Sequence, residues 1–300
     1  MHSRAPNVIG PTSTDMGISR SAIVHLDLDG AQDIYHAHGW KYPHSDDPLF
    51  ESGLKNALTL FERNSIHATM FVVSSSLDNP LKRELVIEAL RRGHEVASHT
   101  ETHPNLLRLT KEQKRLEMVG SREKLESLLG TAVRGFRAPG YQIDRECLEL
   151  LAASGYEYDS SVFPTRTFAR RLESSVAALS VPHHPVPGSP LWEVPLPDHQ
   201  PFPFPFSPSY ALLFGTAYFR WGVNHFRHRG PMVLLFHLTD LADPLPRKWL
   251  PSWAARVYTL SNMTAEQKRE KCQRMLDFVR MRFKITTTRN LLGGLSSAHV

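Results

Sequence analysis

The sequence predicts an α/β protein with a parallel (β/α) barrel architecture, and two observations predict it. Short apolar runs of strand character alternate with capped amphipathic helices along nearly the whole chain. The titratable side chains that carry chemistry fall where those strand runs end. The 300 residues are 41% apolar and 22% charged, enough for a sizeable core, and no clear linker divides the repeated units. Residues 21–290 therefore read as a single domain, with a polar disordered tail over 1–20 and a flexible tail over 291–300.

The first strand runs through residues 22–30. Residues two apart on a strand point the same way, so Asp27 and Asp29 share one side while Leu26 and Leu28 face the opposite layer. A long loop over 31–51 follows, then a helix capped by Ser52 that runs to about Asn64. Residues 68–73 form the next strand. Asn79-Pro80 opens a helix that Gly93 closes, with proline at N1 and glycine at C′. A strand over 93–98 leads into His99. Thr110-Lys111-Glu112-Gln113 is a capping box, starting a helix that ends before Gly130. Arg137 closes a strand and precedes a Pro-Gly turn; Asp144 caps a helix that stops before Gly155; Asp159 ends one strand and Glu193 lies in another. The uninterrupted apolar run 231–236 reads as a fully buried strand ending in His237. Thr264 to Gln267 repeats the capping-box pattern at the head of the last long helix, which ends near Phe283, and a strand over 284–288 closes the sheet.

His99 and His103 stand four positions apart in Ser98-His99-Thr100-Glu101-Thr102-His103-Pro104. On a helical turn, residues i and i+4 share a face, so both imidazoles can present a nitrogen to one cation. Alone such a pair is often surface decoration; its company in the chain gives it weight. Two carboxylates at the end of an apolar strand are expensive to bury unless something positive compensates them. One of Asp27 and Asp29 can bind a metal while the other takes a proton from metal-held water; a turn with a helix cap beyond it is the alternative. Two histidines, one aspartate and a water make a four-ligand set with one exchangeable position, the arrangement of a catalytic site. Arg137 cannot lose its proton, so in a barrel mouth it needs a carboxylate partner, and Asp27 is the natural one. His237 is placed to act as a general acid toward a leaving amine, with a satisfied core histidine as the alternative.

On these residues the chain resembles the polysaccharide deacetylases with NodB homology, carbohydrate esterases that remove acyl groups from sugars, over roughly residues 23–288. Asp27-Leu28-Asp29-Gly30 is similar to the first family motif, His99 to His103 to the second, Arg137-Ala138-Pro139-Gly140-Tyr141 to the third, and the strand ending at His237 to the last. The first motif departs from the commonest pattern by carrying Leu28 where one of two adjacent aspartates stands, an Asp-x-Asp form. The resemblance implies a distorted (β/α) barrel of about seven parallel strands. It implies one divalent ion on Asp29, His99 and His103, zinc foremost, with cobalt, nickel or manganese as alternatives. Asp27 is then the base, His237 the acid, and Arg137 the partner that orders Asp27. Asp159 or Glu193 is expected to support His237, and a backbone amide near Tyr141 to help stabilise an oxyanion. The activity implied is removal of an acyl group, N-acetyl foremost, from an aminosugar or glycoconjugate. A deformylase of a lipid-linked aminosugar, an imidase opening a cyclic ureide and a carbohydrate-binding pseudoenzyme are the rivals.

Composition bounds the partners and location. Cys147 and Cys272 lie far apart inside helices, which suits buried free thiols rather than a disulfide or a zinc pair. The first 20 residues lack the apolar core of a signal peptide, and no apolar stretch reaches the ~20 residues of a membrane span. A cytoplasmic enzyme is expected, with the inner membrane face as a second setting. Aromatic rings of the 33–42 segment, Trp40 among them, can stack on a sugar, as can Trp192. Residues 201–223 carry Phe202, Phe204, Phe206, Tyr210, Phe214, Tyr218, Phe219 and Trp221, which read as a lid, an interfacial segment or a packed subdomain. Residues 201–300 balance at +9 and residues 1–200 at −4, which suits an anionic surface or a pyrophosphate-linked substrate. No recognition motif for nucleic acid accompanies that charge.

Overall fold

The computed structural model describes residues 20–172, 179–197, 206–226 and 230–298. Its centre is β1 (Ser21–Asp27), an almost wholly buried strand. After it come α1 (Ala31–Ala37), α2 (Pro48–Arg63), β2 (Thr69–Val72), α3 (Pro80–Arg91) and β3 (Glu95–Ser98). Next are α4 (Lys111–Arg115), a π-turn over Leu116–Gly120, α5 (Ser121–Leu129), β4 (Gly135–Phe136), α6 (Arg145–Ala153) and β5 (Tyr158–Asp159). The chain continues through α7 (Arg166–Arg171), β6 (Trp192–Glu193), α8 (Pro208–Phe214), α9 (Thr216–Phe226) and β7 (Met232–His237). It finishes with α10 (Trp253–Tyr258), α11 (Ala265–Arg280), β8 (Lys284–Thr286) and α12 (Thr288–Ala298).

All the strand pairs are parallel, in the order β6-β5-β4-β3-β2-β1-β7. Among the described residues no ladder joins β6 to β7, so the sheet curls into a half-barrel. The last strand does not close it. Instead β8 pairs Lys284–Thr286 with Ser21–Ile23, the part of β1 that precedes the His25–Asp27 ladder to β2.

Period-two alternation divides the core. Val24, Leu26, Met70, Val72, Phe136 and Phe236 face the helices in one large cluster with Phe50, Phe61 and Leu276. Ile23, Phe71, Ala97, Tyr158, Val194, Val233 and Leu235 face the barrel interior. Leu291 and Leu292 of α12 join that interior cluster. The tail expected to be flexible over 291–300 is thus a helix through Ala298 that plugs the barrel, its apolar residues read correctly only once the open floor they fill exists. The tail expected over 1–20 lies outside the described residues except for Arg20.

Two further expectations change. The 31–51 loop contains α1, and α2 starts at Pro48 rather than after Ser52. Asp47 is the cap: its Oδ1 accepts from Ala31 N and Phe50 N, and its Oδ2 from Lys82 Nζ at 2.7 Å. A cap charge neutralised from another helix leaves no local trace. In the 201–223 segment, residues 201–205 lie outside the described residues. The rest divides: Phe206, Phe219 and Val223, with Phe226 just beyond, are buried in the outer core, and the Phe206 ring lies so close over Gly222 that any Cβ there would run into it, whereas Leu213, Phe214 and Trp221 stay exposed. Among the described residues no helix is long and apolar enough to cross a membrane. Both cysteines are buried free thiols.

His94, just before β3, accepts a hydrogen bond from Ala68 N through Nδ1. Burial, with His67 and Arg92 nearby, lowers its pKa to about 4. The folded ring stays neutral while the unfolded ring takes a proton below about 6.5, so this contribution is present above that pH and fades as pH falls toward 4. It amounts to on the order of 3 kcal/mol. Urea unfolding at pH 7 and pH 4.5 is expected to show a smaller loss in H94Q, whose amide oxygen can accept from Ala68 without titrating. Equal losses in the two proteins would refute the assignment.

Candidate active site

Three parallel strand ends supply the site. β1 stops at Asp27, two residues before Asp29; β3 stops at Ser98, one before His99; and Arg137 follows β4, its amide donating to Ser98 O at 2.9 Å. His99 and His103 are not on a helical turn. They converge because Thr100 and His103 both take left-handed backbone conformations, with φ of 68° and 60°. Thr100 Oγ1 donates to His99 O and accepts from His103 N, closing the tight loop from inside.

Asp29 Oδ1 lies 3.2 Å from His99 Nε2 and 3.4 Å from His103 Nε2. Four ligands placed tetrahedrally at about 2.0–2.1 Å from one zinc ion stand about 3.3 Å apart. His99 Nδ1 sits 2.8 Å from Arg137 O, and a carbonyl can only accept, so Nδ1 carries the proton and the Nε2 lone pair is left facing Asp29. Asp29 Oδ1 and His103 Nε2 are both buried without a hydrogen-bond partner, which in a folded protein calls for a ligand. Burial pushes the Asp29 carboxyl up, but His103 and His99 hold it well below the ordinary carboxylate range. His103 responds in kind: burial disfavours its charged ring, yet Asp29 pulls it up to about 9. A proton and a divalent cation therefore compete for one lone pair. The donor set, its spacing and its orphaned atoms fit a borderline divalent ion.

Beside the triad lies Arg137, fully buried. Its Nη1 donates to Asp27 Oδ1 at 2.6 Å, its Nη2 to His25 Nδ1 and Ser160 Oγ, and its Nε to Ser160 O. The guanidinium also stacks 3.9 Å over the Phe71 ring. The expected Arg137–Asp27 pair is thus present. Asp27 Oδ2 points the other way, 3.8 Å from His237 Nε2. His25 lies in the same strand as Asp27. It is buried beneath Arg137, and burial followed by the Arg137 charge keeps its pKa well below normal, so the neutral ring accepts at Nδ1 and donates from Nε2 to Thr288 Oγ1 at 3.0 Å. The signal for it was its place two residues before Asp27, on the same strand face.

Several expected partners stand elsewhere. Asp159 and Glu193 face outward, away from His237; they are buried against each other, Asp159 Oδ1 accepting from Ser161 Oγ and Glu193 Oε1 from Val162 N. Burial and the neighbouring Asp159 push Glu193 well up. His237 is instead held by Ser209 Oγ, 3.1 Å from Nδ1, and by Asp240, whose Oδ2 accepts the His237 amide at 2.9 Å. Asp240 lay three residues beyond His237 in the sequence, a spacing that could have flagged it; Ser209 comes from α8 and left no signal.

The Tyr141 amide donates to Ala138 O, so it closes its own turn rather than facing a ligand. Its ring packs on Phe163 at 4.9 Å, and burial, with Asp27 close enough to add to it, raises its pKa. Trp40 belongs to a satellite cluster with Ala31, Tyr35 and Leu49, stacked on His38 at 4.6 Å. Trp192 packs in the barrel interior against His184, level with Tyr158 and Gly135 and so one pleat below Arg137. Neither tryptophan is brought to the triad.

The family model for polysaccharide deacetylase matches residues 36–158. A curated peptidoglycan deacetylase of Helicobacter pylori is 30% identical over 141 residues, 43% of this chain and 47% of that protein. The chain spans about half or less of the length of the curated relatives it matches. A crystal structure assigned to the polysaccharide deacetylases, from Mycobacterium smegmatis, superposes with a TM-score of 0.61 at 19% identity, covering 99% of this chain and 96% of that one. An allantoinase structure superposes at 0.59 with 15% identity over 99% of both chains. At these identities the two structures establish a shared fold.

Asp29→Ala and His99→Ala are each expected to weaken binding of a divalent ion, with zinc as the probe, by at least about 100-fold in a chelator-competition titration, since each removes one of the three donor groups that converge among the described residues. Wild-type affinity in either variant would exclude that residue from the ligand set.

Proposed function

Since this chain belongs to the polysaccharide deacetylases with NodB homology, we propose that it is a metal-dependent hydrolase that removes an acyl group, N-acetyl foremost, from an aminosugar of a glycan. The observation that carries the reading is the adjacency of two sets of atoms. Three ligand atoms spaced for one ion stand beside a carboxylate and an imidazole 3.8 Å apart. In this reading residues 21–290, with the rest of the helix through Ala298 packed into them, act as one catalytic unit.

Asp29, His99 and His103 would hold the ion, zinc by the mix of nitrogen and oxygen donors. Once bound it supplies Lewis acidity, polarising the acyl oxygen and making water more acidic. Asp27 takes a proton from the attacking water through Oδ2, because Oδ1 is committed to Arg137. Arg137 fixes the carboxylate and cannot itself exchange a proton. His237 delivers a proton from Nε2 to the departing amine, its ring oriented by Ser209 at Nδ1. Tyr141 forms a wall of the site through its ring. A non-catalytic carbohydrate binder has no use for an acid–base pair set beside a ligand triad.

Acetate and formate release from a panel of N-acetylated and N-formylated aminosugars and glycan fragments tests the reading and names the acyl group. Asp27→Asn is expected to keep the metal yet lose roughly 10²–10⁴-fold in kcat, the usual share of a general base. Undiminished turnover in that variant would remove Asp27 from the role, and no acyl release by metal-loaded wild type would sink the proposed activity.

A further inference from the structure

The histidine loop needs something outside itself to hold its shape. Two of its residues, Thr100 and His103, sit in the left-handed region, which a non-glycine residue holds only where its surroundings over-determine it. Part of the restraint comes from the single 3₁₀ turn Ser74–Asp78 that follows β2: Ser74 N donates to Thr100 O and Ser75 N to Glu101 O. A further part comes from one side chain. Glu117 Oε2 accepts from Glu101 N at 3.0 Å and from Thr102 N at 2.8 Å, while its Oε1 accepts from Thr102 Oγ1 at 2.6 Å. The Glu117 carbonyl also takes the Glu101 amide.

Glu117 belongs to the π-turn Leu116–Gly120, which interrupts what would otherwise be one helix from Lys111 to Leu129. One extra residue in a helical turn rotates the residues on one side of it by about 100° relative to an unbroken helix, and such turns concentrate at functional sites.

We infer that Glu117 is a positioning residue for the metal ligands: through the π-turn it presets the loop that brings His103 to Asp29 and His99, and so contributes to the affinity for the divalent cation. This rests on the metal reading above. Glu117 touches no ligand atom; it acts on the backbone of Glu101 and Thr102, between the two histidines.

The test is zinc affinity at equilibrium, measured by competition with a chromophoric chelator on the full chain, with the melting temperature of the metal-stripped protein recorded alongside. Glu117→Ala is expected to weaken zinc binding about 10- to 100-fold, the usual cost of losing a partner that orients a ligand. Glu117→Gln should recover most of it, because one amide oxygen can still accept from both backbone N–H groups. Thr102→Val, a milder change on an exposed residue, should weaken binding several-fold and keeps the test decisive if the alanine variant does not fold. Affinities within twofold of wild type in Glu117→Ala or, failing its folding, in Thr102→Val would overturn the inference while leaving the metal site intact. A wild-type chain that binds no divalent cation would overturn both. Loss in Glu117→Gln equal to that in Glu117→Ala would also refute it, since that points to charge rather than geometry.

Discussion

Arg137 ties the whole site together. Its side chain spends four N–H donors on Asp27, His25 and Ser160, and its main-chain carbonyl takes the Nδ1 proton of His99. A single fully buried residue thus orients the proposed base and selects the tautomer of a proposed metal ligand. Burying a guanidinium is unfavourable unless every donor finds a partner, and breaking such a pair from one side costs about 3–5 kcal/mol because the other charge is left stranded. The surrounding fold supplies those partners: Asp27 and His25 from β1, Ser160 from the end of β5, and Phe71 from β2 beneath the cation. The arginine can be there only because the half-barrel holds these strand ends in register.

That register follows from parallel pairing. Asp27 is level with Phe71 on β2 and with His237 on β7, so residues 210 positions apart in the chain meet at one height. The helix side of the sheet is filled by aliphatic and aromatic side chains, which makes the pairing insensitive to the polar residues on the inner side. Those inner residues form a vertical series: Thr69 and His25 low, Asp27 above, Asp29 and the histidines at the mouth. Thr288 at the head of α12 reaches His25 from below, so the C-terminal helix that plugs the barrel is joined through two hydrogen bonds to Arg137. Such a column gives core packing a route to the geometry of the proposed base.

The support of His237 shows how a site can move its dependencies. Asp159 and Glu193 are acidic and end strands, but they project to the outer face, where Asp159 takes the Ser161 hydroxyl and Glu193 the Val162 amide. The task falls to Asp240, in the turn just past β7, and to Ser209 on α8. The aromatic 201–223 segment, as far as it is described, therefore buries phenylalanines in the core and sets one hydroxyl against the His237 ring.

The alternation of strand and helix, the parallel class, the Arg137–Asp27 pair and the grouping of Asp29, His99 and His103 could all be read in the chain, because each rests on local periodicity or on a charge that has few places to go. The sharing of one face by Asp27 and His25 was also there to be read, though unused. What tertiary structure alone decided is everything that depends on a remote partner: the Asp47 cap neutralised by Lys82, the α12 plug, the route of β8 to the middle of the sheet, and Ser209 against His237. The left-handed turns at Thr100 and His103 belong there too. A four-residue spacing is compatible with a helix or a bend, and only the hydrogen bonds from outside the loop choose between them.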